Sequence, residues 1–156
     1  MIEINIPGFR SVRLEYLVSD FTGTLSVDGK LVPGIKEKLD QIAKFLKLVI
    51  LTADTFGKAN TELEGVNCDI QILKGKNLDI QKEEYVKNLG AERVVAIGNG
   101  KNDRRMVKTA RIGIAITEGE GCAVNTLVAA DIHMRCTVEA LDLLLNPKRC
   151  KATLQF

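Results

Sequence analysis

Leu17-Val18-Ser19-Asp20-Phe21-Thr22-Gly23-Thr24-Leu25 is the stretch that decides the fold, because an apolar run of the buried-strand kind stops there at a carboxylate. Upstream, Ile2 to Ile6 and Val12 to Ser19 read as two strands around Pro7-Gly8. Downstream, Val27-Asp28-Gly29-Lys30-Leu31 places an Asp-Gly turn between apolar residues, a hairpin signal. Pro33 suits the first turn of a helix whose apolar positions Ile35, Leu39, Ile42 and Leu46 follow at helical spacing. Leu48 to Leu51 is a short apolar strand ending at Thr52-Ala53-Asp54, and Phe56, Ala59 and Leu63 fit one face of a short helix. Asp69 to Leu73 reads as a weaker strand. Ile80 to Leu89 carries a helical stripe of Ile80, Tyr85, Val86 and Leu89, with Gly90 as its C-cap. Val94 to Ile97 is a strand that leads through Gly98-Asn99-Gly100 into a short helix over Met106 and Val107. Strands over Ile112 to Ile116 and Ala129 to Ile132, then a helix over Leu141 to Leu145, complete the pattern. Strands alternating with helices predict βαβ units, hence one α/β domain over residues 1–156 with a mainly parallel sheet.

The composition of the 156 residues narrows the function classes. Hydrophobic residues are 46% and charged residues 27%, enough for a core and too apolar for disorder. A net charge of +2 does not suggest binding nucleic acid or anionic lipid by bulk charge, and 4% aromatics without Trp leave no stacking platform. The start, Met1-Ile2-Glu3-Ile4-Asn5-Ile6-Pro7-Gly8, has no basic stretch leading into an apolar one, so no signal peptide is expected. The most apolar run, residues 48–53, is far short of the roughly 20 residues of a membrane helix. Cys68, Cys122, Cys136 and Cys150 form no C-x-x-C pair, and they read as reduced core thiols in a cytoplasmic protein. His133, the single histidine, reads as structural.

In open parallel sheets, ligands bind beyond the carboxyl ends of the strands. The polar groups that stop these strands are Asp20, Thr22, Thr52, Asp54, Asn99, Asn102 and Asp103. Each alone reads as a cap or turn former. Together, at successive strand ends, they read as a site. Gly98-Asn99-Gly100 lacks the third glycine of a dinucleotide fingerprint, since position 103 is Asp103, and no P-loop pattern occurs.

Asp20-Phe21-Thr22-Gly23-Thr24-Leu25 resembles the first motif of the haloacid dehalogenase superfamily, D-x-[DT]-G-T. Leu51-Thr52-Ala53-Asp54 is similar to the second motif, and Lys82 to the third-motif lysine, with Lys74 and Lys76 as rivals for that role. Ile97-Gly98-Asn99-Gly100-Lys101-Asn102-Asp103 is similar to the fourth, G-D-G-x-N-D. The spelling is nearest to the phosphorylation domain of P-type ATPases, with Thr22, Asp54, Asn102 and Asp103 matching that branch.

The resemblance implies a Rossmann-like three-layer domain and Mg²⁺-dependent phosphoryl hydrolysis through an aspartyl-phosphate, with Asp20 as nucleophile. It implies that Thr22 lends its carbonyl to the metal, and that Gly23, Thr52, Ala53 and Lys82 hold phosphoryl oxygens. Asn99 and Asp103 would complete the metal side, with Asp54 and Asn102 in support. Phe21 stands where the ATPases carry lysine, Asn99 replaces an acid, and Thr22 replaces the second Asp of ordinary phosphatases. Asp20 and Thr52 are 32 positions apart and Thr52 and Lys82 are 30 apart, too close for an inserted cap or nucleotide-binding domain. With no membrane segment either, ion pumping is excluded. A capless site suits a small or exposed phosphorylated substrate, or closure by a second copy of the chain. The alternative from another class is a non-catalytic, regulatory phospho-ligand-binding protein that retains the fold, which the loss of an acid at Asn99 favours.

Overall fold

A computed structural model describes residues 1–54 and 57–156. The chain begins with β1 (Ile2–Ile6) and β2 (Arg10–Leu14), an antiparallel pair joined through Pro7-Gly8. β3 (Tyr16–Asp20) follows, then the hairpin of β4 (Ser26–Val27) and β5 (Lys30–Leu31), α1 (Ile35–Ile42), β6 (Lys47–Thr52) and α2 (Lys58–Glu62). β7 (Asp69–Ile72), α3 (Leu78–Leu89), β8 (Val94–Gly98), α4 (Arg104–Thr109) and β9 (Ile112–Ile116) continue the alternation. α5 (Val124–Ala129), β10 (Ile132–Met134), α6 (Thr137–Leu145) and α7 (Pro147–Leu154) end it.

Six strands form the main sheet in the order β10-β9-β8-β3-β6-β7, every pair parallel. Its central strands are apolar on both faces, and their alternation assigns the faces. Leu17, Leu48, Ile50, Val95 and Ile97 join the core under α1 and α6, whereas Val18, Val49, Leu51, Val94 and Ala96 join the core under α3 and α4. Both faces are covered, which gives the expected three layers. The chain runs from β3 outward through β6 and β7, then returns to place β8 on the other side of β3. The carboxyl end of β3 therefore lies where the strand order reverses, and a crevice opens between diverging connections. Asp20 is the last residue of that strand.

The Asp-Gly hairpin forms as expected: Asp28 has φ 51° and Gly29 φ 79°, the two positive angles of a type I′ turn. Several expectations need correction. The run Val12 to Ser19 is two strands, because the Glu15 N–H donates to Arg93 O and Lys47 N–H donates to Glu15 O, moving the chain from the small sheet into the large one. Pro33 precedes the helix, whose N-cap is Gly34, and Leu46 lies beyond its end though buried. Ile80 is 39% exposed, since α3 turns Lys82 inward instead, alongside Val86, which is buried as expected. Ala129 ends a helix, and the strand is Ile132–Met134. Residues 147–154 form a helix for which the sequence raised no expectation. Phe56 lies outside the described residues, while Ala59 and Leu63 are buried as expected. Cys150 alone of the four free cysteines is fully buried; the other three are half-buried.

Where α4 passes β9, the backbones meet closely. A Cβ at Gly113 would stand 2.0 Å from the Val107 carbonyl oxygen, a main-chain atom that cannot swing away. Gly113→Ala is expected to cost about 2–3 kcal/mol as an overpacking substitution, lowering Tm by roughly 5–10 °C in thermal denaturation. An unchanged Tm would mean that this contact is looser than described.

Candidate active site

Asp20 reaches a cavity of about 900 Å³ at the sheet's carboxyl edge, lined also by Thr22, Thr52, Asp54, Lys82 and Asn99. The loop after β3 is wound on one carbonyl. Phe21 O accepts from the N–H groups of Thr24, Leu25 and Ser26, at 3.0–3.2 Å, and from the Ser26 hydroxyl at 3.1 Å. The Phe21 side chain is buried in the core, and Thr22 is exposed at the rim. Gly23 has φ 76°, and a Cβ there would come within 2.5 Å of Asn99 Nδ2. Glycine is required by that approach as well as by the angle.

The centre of the site is Lys82, 1% exposed. Its Nζ donates to Asp20 Oδ1 at 2.7 Å, to Asp103 Oδ1 at 2.6 Å and, more loosely, to Asn102 Oδ1 at 3.4 Å. Lys74 and Lys76 are exposed on the loop before α3, so Lys82 is the lysine the structure brings to Asp20. Asp103, fully buried, uses its other oxygen to accept the N–H groups of Asn99 (3.1 Å) and Gly100 (2.9 Å). Both oxygens are thus engaged. Asp103 anchors both the lysine and the turn after β8. Gly98 packs against it, with a would-be Cβ 2.5 Å from Asp103 Cβ.

Asn99 Oδ1 accepts the Thr24 hydroxyl at 3.0 Å, and its Nδ2 donates to Gly121 O at 3.0 Å. The same Thr24 hydroxyl lies 3.4 Å from Asp20 Oδ2. Two oxygens, one anionic and one neutral, therefore converge beside a single small donor. Thr52, at the end of β6, is buried at the cavity wall, and its Oγ1 accepts the Asp54 N–H at 3.2 Å. That leaves the Thr52 hydroxyl hydrogen to donate toward the cavity. Asp54 in turn accepts the Ala59 N–H at 2.6 Å, holding the start of α2 against the site, and Ala53 is exposed between them. His133 is exposed, with Thr117 Oγ1 2.8 Å from its Nε2, and is not among the residues lining this cavity.

Thr24 was legible in the motif, but its hydroxyl contact to Asn99 was not. Asp28, Gly29, Lys58 and Glu120 also line the cavity, and no spacing in the sequence links the hairpin to the loop after β9. Asp28 N–H donates to Glu120 Oε2 at 3.2 Å, closing that side.

Electrostatics follows from one ammonium serving two buried carboxylates. Burial raises the Asp20 pKa most, Asp103 raises it further, and its share of Lys82 does not compensate, so it stands at about 7. Burial alone would lower Lys82, but Asp20 and Asp103 override it and hold the ammonium protonated well above its ordinary range. A carboxyl whose pKa is higher folded than unfolded binds extra protons in the native state between about pH 4 and 7, so it withdraws stability as pH rises through that window. Asp20→Asn is expected to flatten this part of the metal-free stability curve and to raise Tm by a few degrees at pH 8 relative to wild type, read by thermal melts across pH 4–8. Parallel curves for the two proteins would contradict the charge balance described.

A strand-end carboxylate at the switch point, clamped by a buried lysine and flanked by a threonine on one neighbouring strand and an Asn/Asp turn on the other, is the arrangement that the resemblance to the haloacid dehalogenase superfamily leads one to expect. The family model for haloacid dehalogenase-like hydrolases matches residues 36–125, and the chain belongs to that family. It is 42% identical over 71 residues to an uncharacterised protein of Methanocaldococcus jannaschii, covering 46% of this chain and 76% of that one. It is 34% identical over 133 residues to a probable copper-transporting ATPase of Arabidopsis thaliana, covering 80% of this chain but 13% of the transporter. The expected likeness to the ATPases is thus present, over a small part of their length. The 3-deoxy-D-manno-octulosonate 8-phosphate phosphatase of Moraxella catarrhalis, solved with magnesium and phosphate, has the same fold with TM-score 0.67 and 19% identity, over 91% of this chain and 94% of that one. No helix among the described residues is long and apolar enough to cross a membrane.

Proposed function

We propose that the protein is a Mg²⁺-dependent phosphohydrolase working through an aspartyl-phosphate at Asp20. The observation that carries this reading is the Asp20–Lys82–Asp103 arrangement at the sheet's switch point. Asp20 is buried enough to be reactive and still lines an open cavity. In the first step an Asp20 oxygen bonds to phosphorus as the bond to the leaving oxygen breaks, and that oxygen takes a proton from water in the open site. In the second, water attacks phosphorus, the Asp20–phosphorus bond breaks, and inorganic phosphate leaves. Lys82 offsets the charge on nucleophile and phosphoryl group, and the Thr52 hydroxyl and the main-chain amides of Gly23 and Ala53 receive phosphoryl oxygens. Asp103, Asn102 and Asp54 hold these groups in place.

The oxygens present fit a hard cation that keeps waters and relies on substrate phosphate, since such a site needs one or two carboxylates. Asp20, the Thr22 carbonyl, Asn99 and Asp103 would hold Mg²⁺. When bound, the ion supplies charge stabilisation for the transferring phosphoryl group. The buried trio is one positive charge short of neutral, which favours a cation there. With no cap over the cavity among the described residues, the substrate is small or presents an exposed phosphoryl group, or a second copy of the chain covers the cavity. Four free cysteines accord with a reducing, cytoplasmic setting.

Asp20→Asn keeps the shape of the side chain and removes the nucleophile. Hydrolysis of an aryl phosphate is expected to fall at least 10³-fold, into the background. Wild-type-like turnover by the pure variant would overturn the mechanism. Absence of turnover in the wild type, with retained phosphate binding, would favour the phospho-ligand-binding reading that Asn99 suggests.

Asn99→Asp replaces the amide nitrogen that donates to Gly121 O with an oxygen that cannot. The metal-free variant is expected to lose about 1–2 kcal/mol, while the added anion tightens Mg²⁺ binding several-fold. Thermal shifts against Mg²⁺, with and without beryllium fluoride, read both effects. Equal Mg²⁺ affinities would remove position 99 from the metal side.

A further inference from the structure

A second groove, of about 720 Å³, lies between the loop before α3 and the starts of α4 and α5. Lys101 and Asn102 line both this groove and the reaction cavity, so one molecule can lie across both. Its wall carries three exposed cations, Lys76, Lys101 and Arg104. Among the described residues none of the three is in an ion pair. The carboxylate on that wall, Asp79, is already paired with Arg105 at 2.9 Å. The loop that carries Lys76 is held in place, because Gln81 Nε2 donates to both Lys74 O and Lys76 O at 2.9 Å. The chain as a whole is only +2, so three uncompensated cations around one groove are a local concentration rather than a general basic character. The opposite end of the reaction cavity offers no such excess, since Asp28 and Glu120 stand there beside Lys58.

We propose that this groove binds a second anionic group of the substrate, so that the preferred substrate is a phosphomonoester carrying a further phosphate-like or carboxylate group. This deepens, and rests on, the phosphohydrolase reading. Lys76 and Arg104 act as specificity residues: they touch the far anion and not the reacting phosphorus. Their contribution is the same in ground and transition states, so it falls on KM rather than kcat.

The test uses phenyl phosphates that bear, on a methylene tether insulating the ring, a phosphonate, a carboxylate or a neutral carboxamide. Wild type is expected to favour an anionic ester over the carboxamide by roughly 10- to 50-fold in kcat/KM, through KM, as two or three charge-assisted contacts allow. The preference should shrink as salt is raised from 50 to 500 mM. The larger of the phosphonate and carboxylate effects identifies the second group. Lys76→Gln/Arg104→Gln should lose most of the preference while keeping the carboxamide rate within about twofold, and Arg104→Glu, which leaves the same net charge on the wall, should lose a comparable share. Equal kcat/KM for all three esters, or a preference that survives in the double variant, overturns the proposal and leaves the hydrolase reading standing, provided Asp20→Asn is inactive. If wild type turns over none of the esters, or Asp20→Asn turns them over equally, the hydrolase reading fails. The groove is then decided by calorimetric titration with methylenebisphosphonate: tenfold weaker binding to the double variant supports it, and equal or absent binding overturns it.

Discussion

A single ammonium shared by two carboxylates, all three out of water, is the constraint on which the rest of the molecule depends. Lys82 comes from α3, Asp20 from β3 and Asp103 from the turn after β8, so the trio ties both sides of the sheet's centre. Removing Lys82 would leave two buried carboxylates without a counter-charge, a loss of the kind that typically costs about 3–5 kcal/mol. The same shortage of solvent pushes Asp20 up to about 7, while the two carboxylates, against the effect of burial, keep Lys82 charged. A carboxylate that is stabilised less than it would be in water has more to gain from a metal ion or from forming a bond.

The sheet places this trio with little freedom. β6 and β8 flank β3 and their connections leave in opposite directions, so the end of β3 is the one place at the centre of the sheet where a cavity can form without breaking ladder hydrogen bonds. The loop wound on Phe21 O then turns Thr24 back toward Asp20, and the β4–β5 hairpin folds over to meet Glu120. The result is a walled but open pocket.

Two departures from the family's spelling have local physical accounts. Phe21 stands where the ATPase motif carries lysine, and its ring is buried in the core beneath the loop. Asn99 stands where an acid is usual, and its amide uses both ends: Oδ1 accepts from Thr24 and Nδ2 donates to Gly121 O. A carboxylate could make the first bond and not the second. The amide thus couples the loop after β3 to residues 121–123, with Asn99 O also accepting the Ala123 N–H at 2.8 Å.

The sequence by itself determined the alternation of elements, the Asp28-Gly29 turn, and the strand ends at Asp20 and Thr52. These are local properties: apolar runs bury, and polar groups or positive φ angles stop them. It also singled out Lys82 above Lys74 and Lys76, through motif order. On α3 it misplaced Ile80 alone, while Tyr85, Val86 and Leu89 pack as expected, because periodicity counts apolar residues and the buried Lys82 takes the inward place. It joined β2 to β3, because the transfer between sheets depends on Glu15 meeting Arg93 and Lys47, both remote in sequence. Which oxygen of Asp103 holds the lysine and which holds the turn, the approach of Asn99 to Gly23, and the meeting of Lys76 with Arg104 across one groove were decided only by the tertiary structure. Each is a pairing between distant segments, set by how helices and strands pack rather than by any spacing along the chain.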